Sequence, residues 1–239
     1  MNTNTHGTLF LIPANLSEPF APGAILPQEV IAIALRLDFY IAENAKAARA
    51  FLKSLGIERP LQDVSIRELN DRTGKDELAE LLKPLLAGSD VGLVSEAGAP
   101  GVADPGAAVV ELAHRQHIDV MPLVGPSSIL LGLMASGLNG QKFAFHGYLP
   151  QEKTARINAI QELERESRRR NMTQMFIETP YRNHALLADL IATLSPATRL
   201  CVACDLTGSS QTIIQQPVAA WRKAPVAARK APALFLFLA

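Results

Sequence analysis

Glu43, Glu178 and Asp205 are the carboxylates of this sequence best placed for chemistry, because each follows an apolar run that reads as a strand. A carboxylate at a strand's carboxyl end lies where α/β sheets bind ligands. Glu43 also precedes a helix, where the dipole favours a negative charge, so helix capping is an equal reading of it. Structural caps and ion pairs serve equally for Glu178 and Asp205. Cys201-Val202-Ala203-Cys204 has CxxC spacing. No further Cys or His pair stands near it to complete a metal site, and residues three apart on a strand point to opposite faces. His6, His114, His117, His146 and His184 are scattered without ligand spacing, so no metal is expected. Neither GxGxxG after the first strand nor GxxxxGK[ST] occurs, which disfavours dinucleotide and P-loop sites. GxSxG is absent as well, so there is no nucleophile elbow.

The first half of the chain alternates strand and helix. Thr8–Ile12 is an apolar strand stopped by Pro13, and 14–27 is a loop rich in Pro and Gly. A helix over 29–37, a strand at Phe39–Ala42, and a helix opened by Glu43-Asn44 and closed at Gly56 follow. Residues 61–74 read as irregular, with Ser65-Ile66-Arg67-Glu68 matching a capping box. An amphipathic helix spans 75–86. Then comes Val91–Gly106, VGLVSEAGAPGVADPG: a buried strand that breaks into a loop of small residues and ends at Asp104-Pro105, a helix start. A loop so free of bulk lets a ligand lie against backbone atoms. A helix over 106–116 and a strand over 119–123 complete this half. Apolar strands alternating with helices imply a largely parallel sheet covered on both faces.

Val124-Gly125-Pro126-Ser127-Ser128 is a second break of the same kind, and the domain boundary is expected there: an N-terminal α/β domain over 1–123 and a C-terminal α/β domain over 124–239. The second half reads as a helix over 129–136, a strand over 142–148, a long polar helix over 151–170, a strand over 173–178 and a helix over 181–194. A hairpin of 199–206 and 211–217 and a final strand over 233–238 follow, with 221–232 a loose connection.

The 239 residues are 48% hydrophobic, enough for a substantial core. Lys plus Arg and Asp plus Glu number 23 each, so bulk charge does not argue for nucleic acid, and 5% aromatic content disfavours a stacking platform. No apolar stretch reaches the roughly 18 to 20 residues of a membrane helix, the N-terminus lacks a basic segment before a long apolar run, and two cysteines fit a reducing cytoplasm. A cytoplasmic protein without a membrane partner is expected.

VGLVSEAGAPGVADPG, followed by VMPLVGPSS and FAFHGYLP, resembles the tetrapyrrole methylase superfamily, most closely its branch of small-subunit ribosomal RNA ribose 2′-O-methyltransferases. Phe176–Arg182, FIETPYR, is similar to that branch's FxESPxR, and Cys201–Thr207, CVACDLT, to its CVARELT. The resemblance runs along essentially the whole chain. It implies two α/β domains of tetrapyrrole methylase type, with S-adenosyl-L-methionine held in the cleft between them, and a homodimer. Carried over by motif, the cofactor-binding residues are Pro13; Ser95, Glu96, Ala97, Gly98, Ala99 and Val102; Ser127 and Ser128; Tyr148 and Leu149; Ala203, Cys204 and Asp205; and Pro232 and Ala233. Ser127 and Ser128 serve equally as helix caps. Glu43, Lys46, Asn70, Glu178 and Arg182 are the catalytic candidates.

The sequence also departs from the branch. Pro13-Ala14-Asn15-Leu16 stands for Pro-x-Gly-Asn-Leu, Ala42-Glu43-Asn44-Ala45-Lys46 for AEDTR, Leu69-Asn70 for His-Asn, and Ala203–Gly208 for ARELTK. Glu96 and Ala99 replace its Asp and Thr. The donor side is kept better than the acceptor side. Three readings follow: methylation of ribosomal RNA in the small subunit, methylation of a tetrapyrrole or other small molecule, and a non-catalytic module that binds the methyl donor.

Overall fold

The computed structural model describes residues 6–18, 21–70, 72–224 and 230–239. The expected connections over 14–27 and 221–232 therefore lie partly outside the described residues. The chain divides into two compact units. One holds 6–15 and the described part of 19–127, and the other holds Leu16–Glu18 and 128–239. The division falls between Ser127 and Ser128, a few residues past Leu123.

The first unit is built on five parallel strands: β1 (Leu9–Ile12), β2 (Phe39–Ala42), β3 (Ser65–Glu68), β4 (Val91–Val94) and β5 (Val120–Pro122), in the order β3-β2-β4-β1-β5. β4 is buried along its whole length. Alternate residues feed two cores. Phe10, Ile12, Tyr40 and Val94 pack with α2 (Gln28–Arg36) and α3 (Ala45–Ser54). Leu9, Ile41, Val91 and Leu93 pack with α4 (Lys75–Leu81), α5 (Lys83–Leu86) and α6 (Gly106–Arg115). Gly92 is required at the centre, since a Cβ there would stand 2.7 Å from Ile12 Cδ1 and 2.9 Å from Tyr40 Cδ1.

Three local expectations change. Ser65–Glu68 is an edge strand rather than a capping box; the Glu68 carboxylate instead accepts the Ala45 N–H of α3 at 2.9 Å. The helix expected over 75–86 is two pieces, α4 and α5, because Pro84 lacks the N–H that a continuous helix needs. The loop after β1 contains a single helical turn, α1 (Pro22–Ile25).

The second unit carries a mixed sheet, β6 (Phe143–Tyr148), β7 (Thr173–Glu178), β8 (Arg199–Cys204), β9 (Thr212–Pro217) and β10 (Ala233–Leu238), in the order β6-β7-β10-β8-β9. Among its described strands only β6 and β7 pair in parallel. One face packs on α8 (Lys153–Arg170), α9 (Asn183–Thr193) and α10 (Val218–Lys223) through Ile160, Leu186, Leu190 and Trp221. The other packs on α7 (Ser128–Ser136) through Leu133. α8 is capped at both ends. Glu152 accepts the N–H groups of Thr154 and Ala155, which lowers its carboxyl below the usual range, and Asn171 closes the helix in the left-handed region at φ 51°. Beneath α8, Arg156 pairs with Asp189 of α9 at 2.6 Å, both nearly sealed from solvent. Among the described residues no helix is long and apolar enough to cross a membrane.

The zero net charge conceals a division. Residues 1–15 and 19–127 contain ten Lys and Arg against fifteen Asp and Glu, a net of −5; residues 16–18 and 128–239 contain thirteen against eight, a net of +5.

Candidate functional site

In the first unit the site forms where β4 ends. Ser95 is buried, and its hydroxyl lies 3.2 Å from the Ala97 carbonyl and 3.4 Å from that of Gly98, turning the chain back on itself. Gly98 then pairs with Ala14, the residue after Pro13: the Ala14 N–H donates to the Gly98 carbonyl at 2.9 Å and the Gly98 N–H to the Ala14 carbonyl at 3.3 Å. Gly98 and Gly101 sit at φ 74° and 82°, where a side chain is strained. Ala103 takes φ 61° despite its Cβ, a cost of roughly 1 kcal/mol. Asp104 holds this turn, its carboxylate accepting the N–H of Gly101 at 2.8 Å and of Gly106 at 2.7 Å. Gly106 has no room for more, since a Cβ would lie 2.8 Å from that carboxylate. Pro13 is covered by Gly125, where an added Cβ would stand 2.2 Å from the proline Cγ. Gly125 of the second break is thus built against the residue that ends β1.

Glu43 is not the cap of α3. Asn44 fills that role, its side-chain oxygen accepting the N–H groups of Lys46 and Ala47 at 2.9 and 3.1 Å. Glu43 instead reaches across from β2 to accept the Glu96 N–H at 3.2 Å. Together Glu43, Leu69, Asn70, Glu96, Ala103, Asp104 and Pro105 line a depression of about 460 Å³. Two catalytic candidates, Glu43 and Asn70, and the loop residue Glu96 therefore meet in one place. Asn70 is partly committed there, its side-chain oxygen accepting the Arg72 N–H at 2.9 Å. Lys46 lies exposed in the first turn of α3, outside that lining. Asp104 and Ala103 line the depression without having been singled out as site residues. The Asp-Pro pair that marks a helix start was their signal, and its second use, fixing the loop, needs the fold to be seen.

In the second unit the candidates gather at one end of the mixed sheet. Ala233 opens β10 opposite Glu178 of β7 and Cys204 of β8, and the Asp205 N–H donates to the Pro232 carbonyl at 3.0 Å. Tyr148 ends β6 beside Ile177, more than half exposed, with Leu149 buried next to it. Glu178 is buried and bound to Arg182 at 2.7 Å, and Arg182 also reaches the Leu149 carbonyl at 3.4 Å. Asp205 accepts the Ser210 hydroxyl and N–H at 2.6 and 3.0 Å, closing the β8–β9 hairpin. These two acids follow the ion-pair and cap readings. Ser127 ends the first unit and Ser128 begins α7.

The two cysteines point to opposite faces. Cys201 packs with Leu133 and Met175, and Cys204 with Phe176 and Leu149. Burial pushes the Cys201 thiol up to about 12.

Residues 26–220 match the family model for tetrapyrrole (corrin/porphyrin) methylases. Among curated proteins, the chain is 30% identical over 223 residues to ribosomal RNA small subunit methyltransferase I of Escherichia coli O157:H7, covering 92% of this chain and 73% of that protein. It is 36% identical over 180 residues to the protein of the same name from Xylella fastidiosa, covering 74% and 62%. Among solved structures, uroporphyrin III C-methyl transferase from Thermus thermophilus aligns with a TM-score of 0.59 over 97% of both chains at 14% identity, a likeness of fold. The parallel sheet, the small-residue loop at the end of β4 and the family match over most of the length agree, and the chain belongs to the tetrapyrrole methylase family of methyltransferases.

Proposed function

We propose that this protein transfers a methyl group from S-adenosyl-L-methionine to a ribose 2′-hydroxyl of small-subunit ribosomal RNA, working in the cytoplasm as a homodimer. Methyltransferases of this family use S-adenosylmethionine in general. The observation that carries the donor half is the loop Ser95–Gly106 with the acidic depression beside it. Most of the loop's side chains are small, and the N–H groups of Ala97 and Ala99 have no partner among the described residues, so backbone donors are available to a ligand's carboxylate or ring nitrogens. Glu43, Glu96 and Asp104 make the depression negative, which suits a cationic sulfonium and its ammonium group. The residues present therefore fit the group. When bound, it supplies an activated methyl on a sulfonium. The protein's task is to hold the acceptor in line and to keep water out.

Ser95, Glu96, Ala97, Gly98, Ala99 and Val102 are assigned to holding the donor, with Pro13 and Ser127 supporting them. Ser128, Tyr148, Leu149, Ala203, Cys204, Asp205, Pro232 and Ala233 carry the same assignment from the family motifs. Glu43 is the carboxylate in position to accept a hydroxyl proton, and Asn70 can orient the acceptor. Glu178 and Arg182 are assigned to shaping the second unit's site through their mutual pair. The acceptor half rests on the names of the relatives and on the +5 charge of the second unit, which suits a polyanion.

Calorimetry with S-adenosylhomocysteine, followed by transfer of labelled methyl to small ribosomal subunits from a strain lacking this protein, tests both halves. Micromolar binding and label in the RNA are expected. Absence of binding at high micromolar ligand sinks the donor half; binding with label only in small molecules sinks the acceptor half. Light scattering at micromolar protein checks the dimer.

A further inference from the structure

The second unit has a concavity of about 550 Å³ lined by Gln141, Lys142, Phe143, Arg169, Arg170 and Met172. Its lining contains three cations and no carboxylate. Arg169 and Lys142 make no ion pair or side-chain hydrogen bond among the described residues, and Arg170 has only a 3.5 Å contact with Glu166. Cations at the end of α8 suit the helix dipole. That accounts for basic residues in the last turn, but not for their meeting Lys142 and a ring from another element around a hollow. Phe143 is 41% exposed there, an unusual position for an aromatic residue in a chain with so few. Lys142 precedes β6 and Phe143 opens it, at one edge of the sheet and at the end of the strand opposite Tyr148. The strand's six residues put roughly 17 Å between the two ends.

We infer that this hollow is a docking site for single-stranded RNA, separate from the methyl-transfer site, with Lys142, Arg169 and Arg170 on phosphates and Phe143 stacked on a base. Guanidinium groups match phosphate oxygens in pairs, and an exposed ring gives any base a face to stack on, so the site holds RNA without reading its sequence. The Gln141 amide adds one donor and one acceptor at the rim. The inference rests on the ribosomal RNA reading of the acceptor. It differs from that reading in assigning a contact that anchors the substrate away from the chemistry, so its loss raises KM and leaves kcat in place.

The test uses the full chain and a fluorescent 12-nucleotide single-stranded RNA of mixed sequence, with affinity measured across a salt series. The triple variant K142A/R169A/R170A is expected to bind at least tenfold more weakly and to lose about 2 from the slope of log affinity against log salt, three phosphate contacts at about 0.7 each. Phe143→Leu is expected to weaken binding several-fold with the slope unchanged. Arg165→Ala, on the same helix but outside the hollow, should match wild type, and S-adenosylhomocysteine should bind all four alike. On small subunits the triple variant should show a raised KM at unchanged kcat. Wild-type affinity and slope in the triple variant overturn this inference alone. A wild-type protein that binds S-adenosylhomocysteine but no RNA overturns the acceptor reading and this inference together. A triple variant that holds naked RNA normally but fails on the assembled subunit points to a protein contact and overturns the RNA assignment.

Discussion

Glu43 shows how far one side chain's role depends on its neighbours. In sequence it stands before a helix, and capping explains it. In the fold Asn44, one residue on, takes the cap, which frees Glu43 to hold the Glu96 N–H of the loop after β4. A net hydrogen bond of this kind is worth roughly 1 kcal/mol, or about fivefold in an equilibrium. Glu43→Ala is therefore expected to weaken S-adenosylhomocysteine about fivefold, by loosening the loop, while the melting temperature changes little. Glu43→Gln keeps an acceptor oxygen and should recover most of that affinity, yet remain slow in methyl transfer if the carboxylate also takes the acceptor's proton. Unchanged affinity in the alanine variant would show that the contact does not organise the loop. The Cys201-x-x-Cys204 pair makes the opposite point: its two sides were legible in sequence from strand alternation alone, and the structure puts the two thiols in different cores.

Elements were legible where their pattern was strong. The apolar strands β1, β4 and β10 follow from hydrophobic runs, α3 from its Asn44 start and Gly56 stop, and α8 from a long run of polar helix formers between Pro150 and Asn171. β3 was not legible, because an edge strand of sequence Ser-Ile-Arg-Glu buries little and its ladder bonds come from a neighbour distant in sequence. Parallel pairing in the first unit was legible, but the order β3-β2-β4-β1-β5 and the residue-by-residue register were not, since contacts distant in sequence set them. Nor was the tie between α8 and α9. Arg156 donates to Asp189 through both Nε and Nη2, and Nη1 donates to the Gln151 carbonyl at 2.7 Å, joining a helix start to its neighbour. Removing one partner strands a buried charge, at a cost of about 3–5 kcal/mol. Asp189→Ala should lower unfolding stability in urea by that amount, and a loss under 1 kcal/mol would show that water reaches the guanidinium. Paired replacement of Arg156 and Asp189 by apolar residues should cost less than either single change.

For the molecule as a whole, net charge says less than its distribution. The balance of 23 and 23 argues against a polyanion partner only if charge is spread evenly, and the division into −5 and +5 removes that argument. An acidic unit carrying the small-residue loop and a basic unit carrying the Arg169 hollow suit a cationic donor and an anionic acceptor separately. The motif order revealed the family from sequence, because loops of Gly, Ala and Pro at strand ends are specific in combination. The split of charge was also legible in the sequence, since the boundary expected at 123/124 already divides it into −6 and +6.

That boundary has one irregular feature. Residues Leu16–Glu18 belong with the second unit although the chain on both sides of them belongs with the first. Leu16 packs among Leu133, Leu206 and Leu234, and the Ser17 hydroxyl donates to the Leu206 carbonyl at 3.0 Å. The second unit is thus discontinuous in the gene, and a cut at residue 128 does not release it whole. A fragment of 128–239 should refold poorly alone and gain protection from proteolysis when a peptide covering 14–20 is added. Equal protease resistance with and without that peptide would mean that the three residues are only guests. If they are structural, exchanging the second half with that of a relative requires moving this short stretch too, and the smallest transferable piece of the protein is two segments rather than one.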